Sequence, residues 1–343
     1  MLRRDFLAAM TAFLKSDKVE EAARLIERAT ESGEVSAAVL RVQHGGDVFS
    51  RAFGKAKTPE TVFLIASITK PMTATGVMVL ADRGMLSLSD PVRKFIPEFQ
   101  GGDRDSMTIR HLLTHTSGLP DMLPENIELR KRFSPLSEFV SGVVRTPLLF
   151  KPGARVQYQS MGILLASEIA RRVTDTAFPE FLRKEVFVPL GMNRTSLGLG
   201  SRKIPDTAIC QVAEEKWGWN STYWRNLGAP WGGAHSTAVD INRFLRSFAK
   251  PDGKVLKPET ARSMVTPQTK FPGESYGFGW RTTRGGFGRA CSERTYGHAG
   301  ATGTLCWLDP DADLSFVVLT TKPLDASEKT LLHPVSDLVS EAR

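Results

Sequence analysis

The spacing of apolar residues predicts strand-forming ends and a helical middle. Apolar positions recur at helical spacing over residues 18–32, and the pattern ends at a glycine. Residues 36–54 contain two strand-like runs on either side of Gly45 and Gly46, which predicts a β-hairpin. From about residue 67 to residue 268 the period is mostly helical, with turn-forming clusters between the helices.

Strand-like runs return near the carboxyl end, over residues 276–284, 294–309 and 314–322, and a helical pattern follows over residues 327–342. Strands at both ends with helices between them predict a mixed α/β (α+β) fold. One sheet would be assembled from the two termini, with a mostly helical subdomain inserted. A cleft between the layers is the expected place for an active site.

A chain of 343 residues exceeds the usual size of a single hydrophobic core, so two closely packed subdomains are expected. The pattern places an N-terminal extension at residues 1–18. The α/β subdomain with the sheet would combine residues 19–66 with residues 269–343, and the mostly helical subdomain would cover residues 67–268.

The charge distribution argues against a nucleic-acid partner. The formal net charge is +8, but lysine and arginine are spread along the chain rather than gathered into one block. The densest arginine region, residues 281–294, lacks the repetition of an RNA-binding glycine-arginine tract. A single glycine-rich hairpin loop is the favoured interpretation.

Motifs for metals and cofactors are missing from the sequence. The three cysteines are too scattered for a disulfide framework or a metal knuckle. His111 and His115 are four residues apart, but Leu112 stands where a zinc hydrolase carries its catalytic glutamate. A structural role at a helix end is therefore favoured, and we expect neither a metal nor a cofactor.

The amino terminus leaves two interpretations open. Arg3 and Arg4 precede Phe6 and Leu7, which is similar to a twin-arginine export signal. The apolar stretch is short, however, and no small-residue cleavage site follows it. We favour an amphipathic helix and a cytoplasmic protein, with periplasmic export as the alternative. No segment reaches the apolar length of a membrane span, and the pattern does not indicate an oligomeric state.

An apolar segment opens with a serine and a lysine three residues apart, in the sequence LIASITKPMTA. If a helix begins near Ser67, the hydroxyl of Ser67 and the amine of Lys70 lie on one face of its first turn. A lysine whose pKa is lowered by burial can take the serine proton, and a helix amino terminus favours developing negative charge. A capping serine followed by a surface lysine is the structural alternative.

Two further stretches supply groups that would complete such a site. In RVQYQSMG, Tyr158 precedes Ser160, and a tyrosine near a lysine ammonium can pass protons between nucleophile, leaving group and water. In YGHAGATG, small residues on an edge strand would let a substrate approach the backbone. The amide of Ala301 could then join that of Ser67 as an oxyanion-binding pair, with His298 pointing into the cleft. Taken singly, a packing tyrosine and a glycine-rich strand explain these stretches as well.

Together, the stretches SITK (67–70), YQS (158–160) and HAG (298–300) resemble the three motifs of one superfamily of serine hydrolases. It contains class C β-lactamases, D-alanyl-D-alanine carboxypeptidases and family VIII carboxylesterases. The stretches HLLTHTSGLPD (111–121) and VPLGMNRT (188–195) are also similar. The resemblance implies a β-lactamase/transpeptidase-like fold, in which helices flank an antiparallel sheet built from both termini.

The resemblance also implies roles for individual residues. Ser67 would attack the acyl carbon, and Lys70 would accept its proton. Tyr158 would share the proton traffic and activate the deacylating water. The backbone amides of Ser67 and Ala301 would hold the oxyanion. The expected partner is a small-molecule ester or amide.

Departures from the family pattern favour a neutral acyl ester. The third motif of the lactamase and carboxypeptidase branches usually reads Lys-Thr-Gly, whereas this chain has His298, Ala299 and Gly300. A mostly neutral histidine and a methyl group bind a substrate carboxylate less well than a cation and a hydroxyl do. Ser160 stands where class C lactamases have an asparagine that contacts the substrate amide. We expect all four residues to contribute to substrate binding.

Residues 216–233 hold four of the six tryptophans. Such crowding can build an apolar acyl pocket or a lid, with Trp231 as a substrate contact, or it can form a loop that anchors itself.

The departures from the family pattern make a carboxylesterase the favoured function. A β-lactamase or D-amino-acid peptidase with the same acyl-enzyme chemistry is the alternative, and a non-catalytic binding or scaffold protein is the candidate from another class.

Overall fold

The computed structural model describes residues 17–269, 271, 273, 275–282 and 287–342. The amphipathic helix predicted around Arg3 to Leu7 lies outside these residues, as does the middle of the predicted loop at residues 281–294. Within the described ranges, no helix combines the length and the apolar content needed to cross a bilayer.

A five-stranded antiparallel sheet is assembled from both ends of the chain, as the sequence predicts. Its strands are β1 (Ala37–His44), β2 (Asp47–Gly54), β6 (Tyr296–Gly300), β7 (Thr304–Asp309) and β8 (Leu314–Thr320). Their order in the sheet is β2-β1-β8-β7-β6. A second, three-stranded sheet joins β3 (Phe63–Leu64), β5 (Ala234–Ser236) and β4 (Ser196–Leu197), in that order.

The predicted hairpin forms with the expected turn. His44 of β1 faces Asp47 of β2, so Gly45 and Gly46 make a two-residue connection. Gly45 has a φ of +57°, which a glycine adopts without steric cost and which suits the tight turns between antiparallel strands.

The central strands of the larger sheet are buried on both faces, and their residues alternate between two apolar clusters. Val317 and Leu319 of β8 belong to the cluster shared with the helical region, whereas Phe316 and Val318 belong to a second cluster. The second cluster also takes in apolar residues of the first helix, such as Ile26, and of the carboxyl-terminal segment. The side chains of the central strands are therefore fixed from both sides.

Most of the chain between β2 and β6 is helical or looped. The α-helices are α1 (Asp17–Glu31), α2 (Thr69–Asp82), α3 (Ile109–Leu113), α4 (Asn126–Lys131), α5 (Leu136–Arg145), α6 (Met161–Thr174), α7 (Phe178–Leu182), α8 (Thr222–Leu227), α9 (Ala238–Ala249), α10 (Pro258–Met264), α11 (Leu324–Ser327) and α12 (His333–Ser340). Every residue of α2 from its start to Leu80 is buried, and α2 packs against α6. A helix that is apolar on all sides is expected in that position.

Two predicted elements differ in detail from the structure. The closing helix at residues 327–342 is a π-helical turn (Glu328–Leu332) continued by α12. The described part of the strand predicted at residues 276–284 makes only isolated bridges. That strand prediction is wrong because Gly277 donates a hydrogen bond to the Trp280 carbonyl and Gly279 has a φ of +78°, so the chain turns there.

Candidate active site

Ser67 lies in a 3₁₀ turn (Ala66–Ile68) that leads directly into α2. Ala66 has a φ of +44°, an unfavourable conformation for a residue with a side chain, and such strain concentrates at functional sites. The Thr69 hydroxyl donates to the Ala66 carbonyl (2.6 Å) and accepts the Ala234 amide (3.0 Å). The turn is thus held in place, and the half-buried Ser67 remains partly open to solvent.

Lys70 is fully buried at the start of α2, one turn after Ser67. Its Nζ lies 2.9 Å from the Ser67 Oγ and 3.0 Å from the carbonyl oxygen of Trp231. Burial lowers the pKa of Lys70 to about 7, although the negative charge of Asp121 opposes the shift. A large fraction of the amine is therefore neutral at neutral pH and can accept the Ser67 proton.

The half-buried ring of Tyr158 covers the lysine. The Lys70 Nζ is 4.6 Å from the centre of that ring, a distance typical of a cation–π contact. Tyr158 is surrounded by other rings, with centres 4.9 Å away for His115, 6.0 Å for His298 and 6.4 Å for Tyr276. The structure therefore brings the alcohol, the amine and the phenol-bearing residue from two distant parts of the chain to one place.

His298 approaches from the edge strand β6 as a neutral imidazole. Its Nδ1–H donates to the Ala299 carbonyl (2.7 Å), so Nε2 carries a lone pair. Burial, together with the charge of Lys70, lowers the pKa of His298 to about 3. The position that carries a cation in the Lys-Thr-Gly pattern is therefore uncharged here.

Ala299 and Gly300 play different structural parts in β6. The Ala299 side chain packs against the second apolar cluster, on the face of the sheet opposite to His298. The expected substrate contact of the Ala299 methyl group is thus not supported by its direction. At Gly300, an added Cβ would come within 2.3 Å of the Ile65 carbonyl oxygen. The absence of a side chain there lets β6 lie against the turn that carries Ser67.

Ala301 lies just beyond β6 and is exposed. Its carbonyl oxygen accepts the amide of Leu324 (2.9 Å), which fixes the peptide at the end of the strand. The contact of Gly300 with Ile65 places this strand end beside the turn of Ser67. The pairing of the Ala301 and Ser67 amides around an oxyanion stays a prediction.

Ser160 immediately precedes α6 and is 1% exposed. Its hydroxyl donates to the Asp121 carboxylate (2.6 Å), and its amide donates to the Asp121 carbonyl (3.3 Å). Because Asp121 is exposed and acts electrostatically on Lys70, it brings a negative charge to this side of the site. Ser160 therefore acts together with Asp121, a residue that the sequence interpretation did not single out.

Trp231 contributes its main chain rather than its ring. Its side chain is 2% exposed and packs against Phe139 and Trp224, whereas its carbonyl oxygen accepts the Lys70 ammonium. The predicted contact between the Trp231 indole and the substrate is therefore wrong, because the ring is enclosed in the core.

The rest of the tryptophan-rich segment anchors itself. The Arg130 guanidinium lies 5.1 Å from the Trp217 ring centre and 4.0 Å from that of Trp224. The buried Arg225 donates to the carbonyls of Trp219 and Ala208. These contacts match the structural alternative for this segment.

The two histidines at the end of α3 have structural partners, as predicted. The His111 Nδ1 accepts the Thr108 amide (3.1 Å) in a capping box. The His115 Nδ1 accepts the Gln159 amide (3.2 Å). Among the described residues, no three His, Cys, Asp or Glu side chains are grouped to hold a metal ion.

Comparisons with known proteins give this arrangement a family. The model of the Beta-lactamase family matches residues 22–339, so the chain belongs to that family. This is the beta-lactamase-fold family of serine hydrolases, and the recognition based on the three short motifs is confirmed.

One curated relative is penicillin-binding protein 4* of Bacillus subtilis (strain 168), which is 26% identical over 294 residues. The match covers 78% of this chain, and it spans 64% of the relative's length.

Two solved structures share the fold. The hydrolase EstCE1, described as having promiscuous acyltransferase activity, superimposes with a TM-score of 0.79 at 20% identity, over 97% of this chain and 100% of EstCE1. The D-amino acid amidase of Ochrobactrum anthropi SV3, solved with D-phenylalanine, gives a TM-score of 0.73 at 22% identity. That match covers 95% of this chain and 99% of the amidase.

Proposed function

We propose that the chain is a carboxylesterase that hydrolyses small neutral acyl esters through a covalent acyl-enzyme on Ser67. The observation that carries this proposal is the buried Lys70, whose Nζ lies 2.9 Å from the Ser67 Oγ and whose pKa is about 7. A serine hydroxyl becomes a useful nucleophile when an adjacent base is neutral at working pH.

The reaction proceeds in two halves. Neutral Lys70 takes the Ser67 proton as the Oγ attacks the acyl carbon, and the proton returns through Lys70 and Tyr158 to the departing alcohol. Water then attacks the acyl-enzyme, giving up one proton to the same pair, and the carboxylic acid leaves as the Ser67 hydroxyl is restored. The Lys70 Nζ lies 4.6 Å from the centre of the Tyr158 ring, so the two residues of the proposed pair are adjacent.

The charges around the site support a neutral substrate. His298 is uncharged at neutral pH because its pKa is about 3, and the Asp121 carboxylate lies on the Ser160 side. A substrate carboxylate would therefore not meet a fixed cation at His298. An uncharged His298 therefore favours an ester over a β-lactam or a peptide that ends in a carboxylate.

Relative turnover of four substrates tests the class. We expect p-nitrophenyl acetate and butyrate to be hydrolysed with higher kcat/KM than nitrocefin and a D-alanyl peptide. Faster turnover of nitrocefin or the peptide would overturn the esterase assignment in favour of the lactamase or peptidase alternative. The D-alanyl peptide is included because a D-amino acid amidase shares this fold.

Labelling by a fluorophosphonate tests the acyl-enzyme. We expect Ser67→Ala to abolish labelling and turnover, and Lys70→Ala and Tyr158→Phe each to reduce kcat at least about 100-fold, the scale of a lost acid–base group. Ser137→Ala, which alters an exposed serine on α5, is the matched control and should label like the wild type. A wild type that does not label would favour the scaffold interpretation.

A further inference from the structure

His115 contacts the chain on both sides of Tyr158. Its carbonyl oxygen accepts the Gln157 amide (2.9 Å), and its ring Nδ1 accepts the Gln159 amide (3.2 Å). One residue thus fixes the two peptide groups that flank the tyrosine, although it lies more than forty positions earlier in the chain.

The backbone conformation of His115 makes this double contact possible. Its φ is +59°, in the left-handed region that residues other than glycine seldom adopt. That conformation is energetically unfavourable for a residue with a side chain and persists only where surrounding contacts impose it. Here it accompanies a fully buried residue whose main-chain and side-chain acceptors both serve the segment 157–159.

The His115 ring also packs directly on the tyrosine. Its centre lies 4.9 Å from that of Tyr158 and 4.5 Å from that of Tyr276, the latter in an edge-on contact. The tyrosine ring is therefore supported on the side of His115 while its face covers Lys70 at 4.6 Å.

The protonation state of His115 is fixed by its hydrogen bond. Because Nδ1 accepts an amide hydrogen, the ring is neutral with its proton on Nε2. Burial lowers the pKa of His115 well below its usual value, and the nearby Lys70 and His298 lower it further. The titratable rings in contact with it are Tyr158 and Tyr276.

We propose that His115 is a positioning residue that holds Tyr158 over Lys70 through the paired acceptance of the Gln157 and Gln159 amides and through ring packing. This inference rests on the proposed function, since it assigns His115 a part in the acid–base step of Tyr158. His115 does not touch the reacting atoms itself.

Two substitutions matched in backbone tolerance test the proposal. Asparagine and glycine both accept a positive φ, but only asparagine places an acceptor oxygen where the His115 Nδ1 lies. We expect His115→Gly to lower kcat for p-nitrophenyl acetate by about 30-fold or more with KM changed less than about threefold, since small displacements of a catalytic group cost up to about 100-fold. His115→Asn should retain kcat within about fivefold.

Burst titration with a fluorophosphonate corrects each rate for the folded, competent fraction. Equal loss in the asparagine and glycine variants would overturn the proposal, as would a glycine variant with wild-type kcat. A crystal structure of His115→Gly gives a readout that does not depend on turnover. The proposal requires the Tyr158 ring to move away from Lys70, and an unchanged distance would refute it even if the esterase assignment itself were wrong.

Discussion

The Lys70 ammonium nitrogen lies 4.6 Å from the centre of the Tyr158 ring, so an aromatic face covers the buried amine. The contact favours the charged form of the lysine, whereas burial disfavours it more strongly. Burial, opposed by the negative charge of Asp121, lowers the pKa of Lys70 to about 7, which makes its protonation state sensitive to small changes in nearby charge.

Asp121→Asn should shift the pH dependence of esterase activity to lower pH. The Asp121 carboxylate raises the pKa of Lys70, so its removal lowers that pKa further. Because neutral Lys70 is the proposed base, kcat/KM of the wild type should rise with pH through about 7, and the same rise should occur earlier in the variant. The measurement is a pH profile of p-nitrophenyl acetate hydrolysis.

Glu128→Gln is the control for that shift, since it also removes one carboxylate, from an exposed residue on α4. An acid limb at the same pH in Asp121→Asn and in the wild type would show that Asp121 does not act on the base.

Lys70→Met should alter the pH dependence of stability in a defined direction. Between about pH 7 and pH 10 the unfolded chain binds a proton on Lys70 that the folded chain does not, so the unfolding free energy of the wild type rises with pH. The slope from this group is at most about 1.4 kcal/mol per pH unit, and the methionine variant lacks it. Urea unfolding of both proteins at pH 6, 7.5 and 9 measures the difference. A constant difference across that range would contradict the lowered pKa.

Gly300→Ala should be much more damaging than Gly232→Ala. A methyl group at Gly300 would meet the Ile65 carbonyl oxygen at 2.3 Å, whereas one at Gly232 finds its nearest neighbour, Ala66, at 3.7 Å. Overpacking against backbone costs about 1–3 kcal/mol, while an ordinary contact costs much less. Chemical unfolding measures stability, and burst titration measures the site. Similar stabilities for the two variants would mean that β6 is free to move away from the turn of Ser67.

The three thiols should be unreactive in the folded protein. Cys210, Cys291 and Cys306 are all buried, and burial raises the pKa of Cys210 to about 11 and that of Cys306 to about 12. Since the thiolate is the reactive form, a thiol reagent such as DTNB should titrate no cysteine until denaturant is added, and then three. Rapid reaction of the native protein would point to an accessible thiol.

Part of the site can be predicted from the sequence because it depends on residues that are close together in the chain. Ser67 and Lys70 are three residues apart on helical turns, so their proximity follows from helix geometry. The hairpin at Gly45 is equally local. The sheet could be foreseen as well, because strand patterns occur only at the two ends of the chain.

Long-range main-chain contacts leave no such signature. The Trp231 carbonyl accepts the Lys70 ammonium, and any residue type could supply that carbonyl, whereas the sequence pattern points to the tryptophan side chain. The contacts of His115 depend on a φ of +59°, a conformation that its residue type does not predict. The strand expected at residues 276–284 was wrong because glycines at 277 and 279 let the chain turn where apolar alternation suggested extension.

The larger sheet can be completed only after β8 has been translated, because β8 is the partner strand of β1. Ala38 of β1 is paired in register with Thr320 of β8, so the inner edge of the first hairpin has no partner until β8 has left the ribosome. Such distant pairing is slow to form, and an exposed strand edge invites association with other chains in the interval. Chains released early, before β8 is translated, should therefore be targets for chaperones or for degradation.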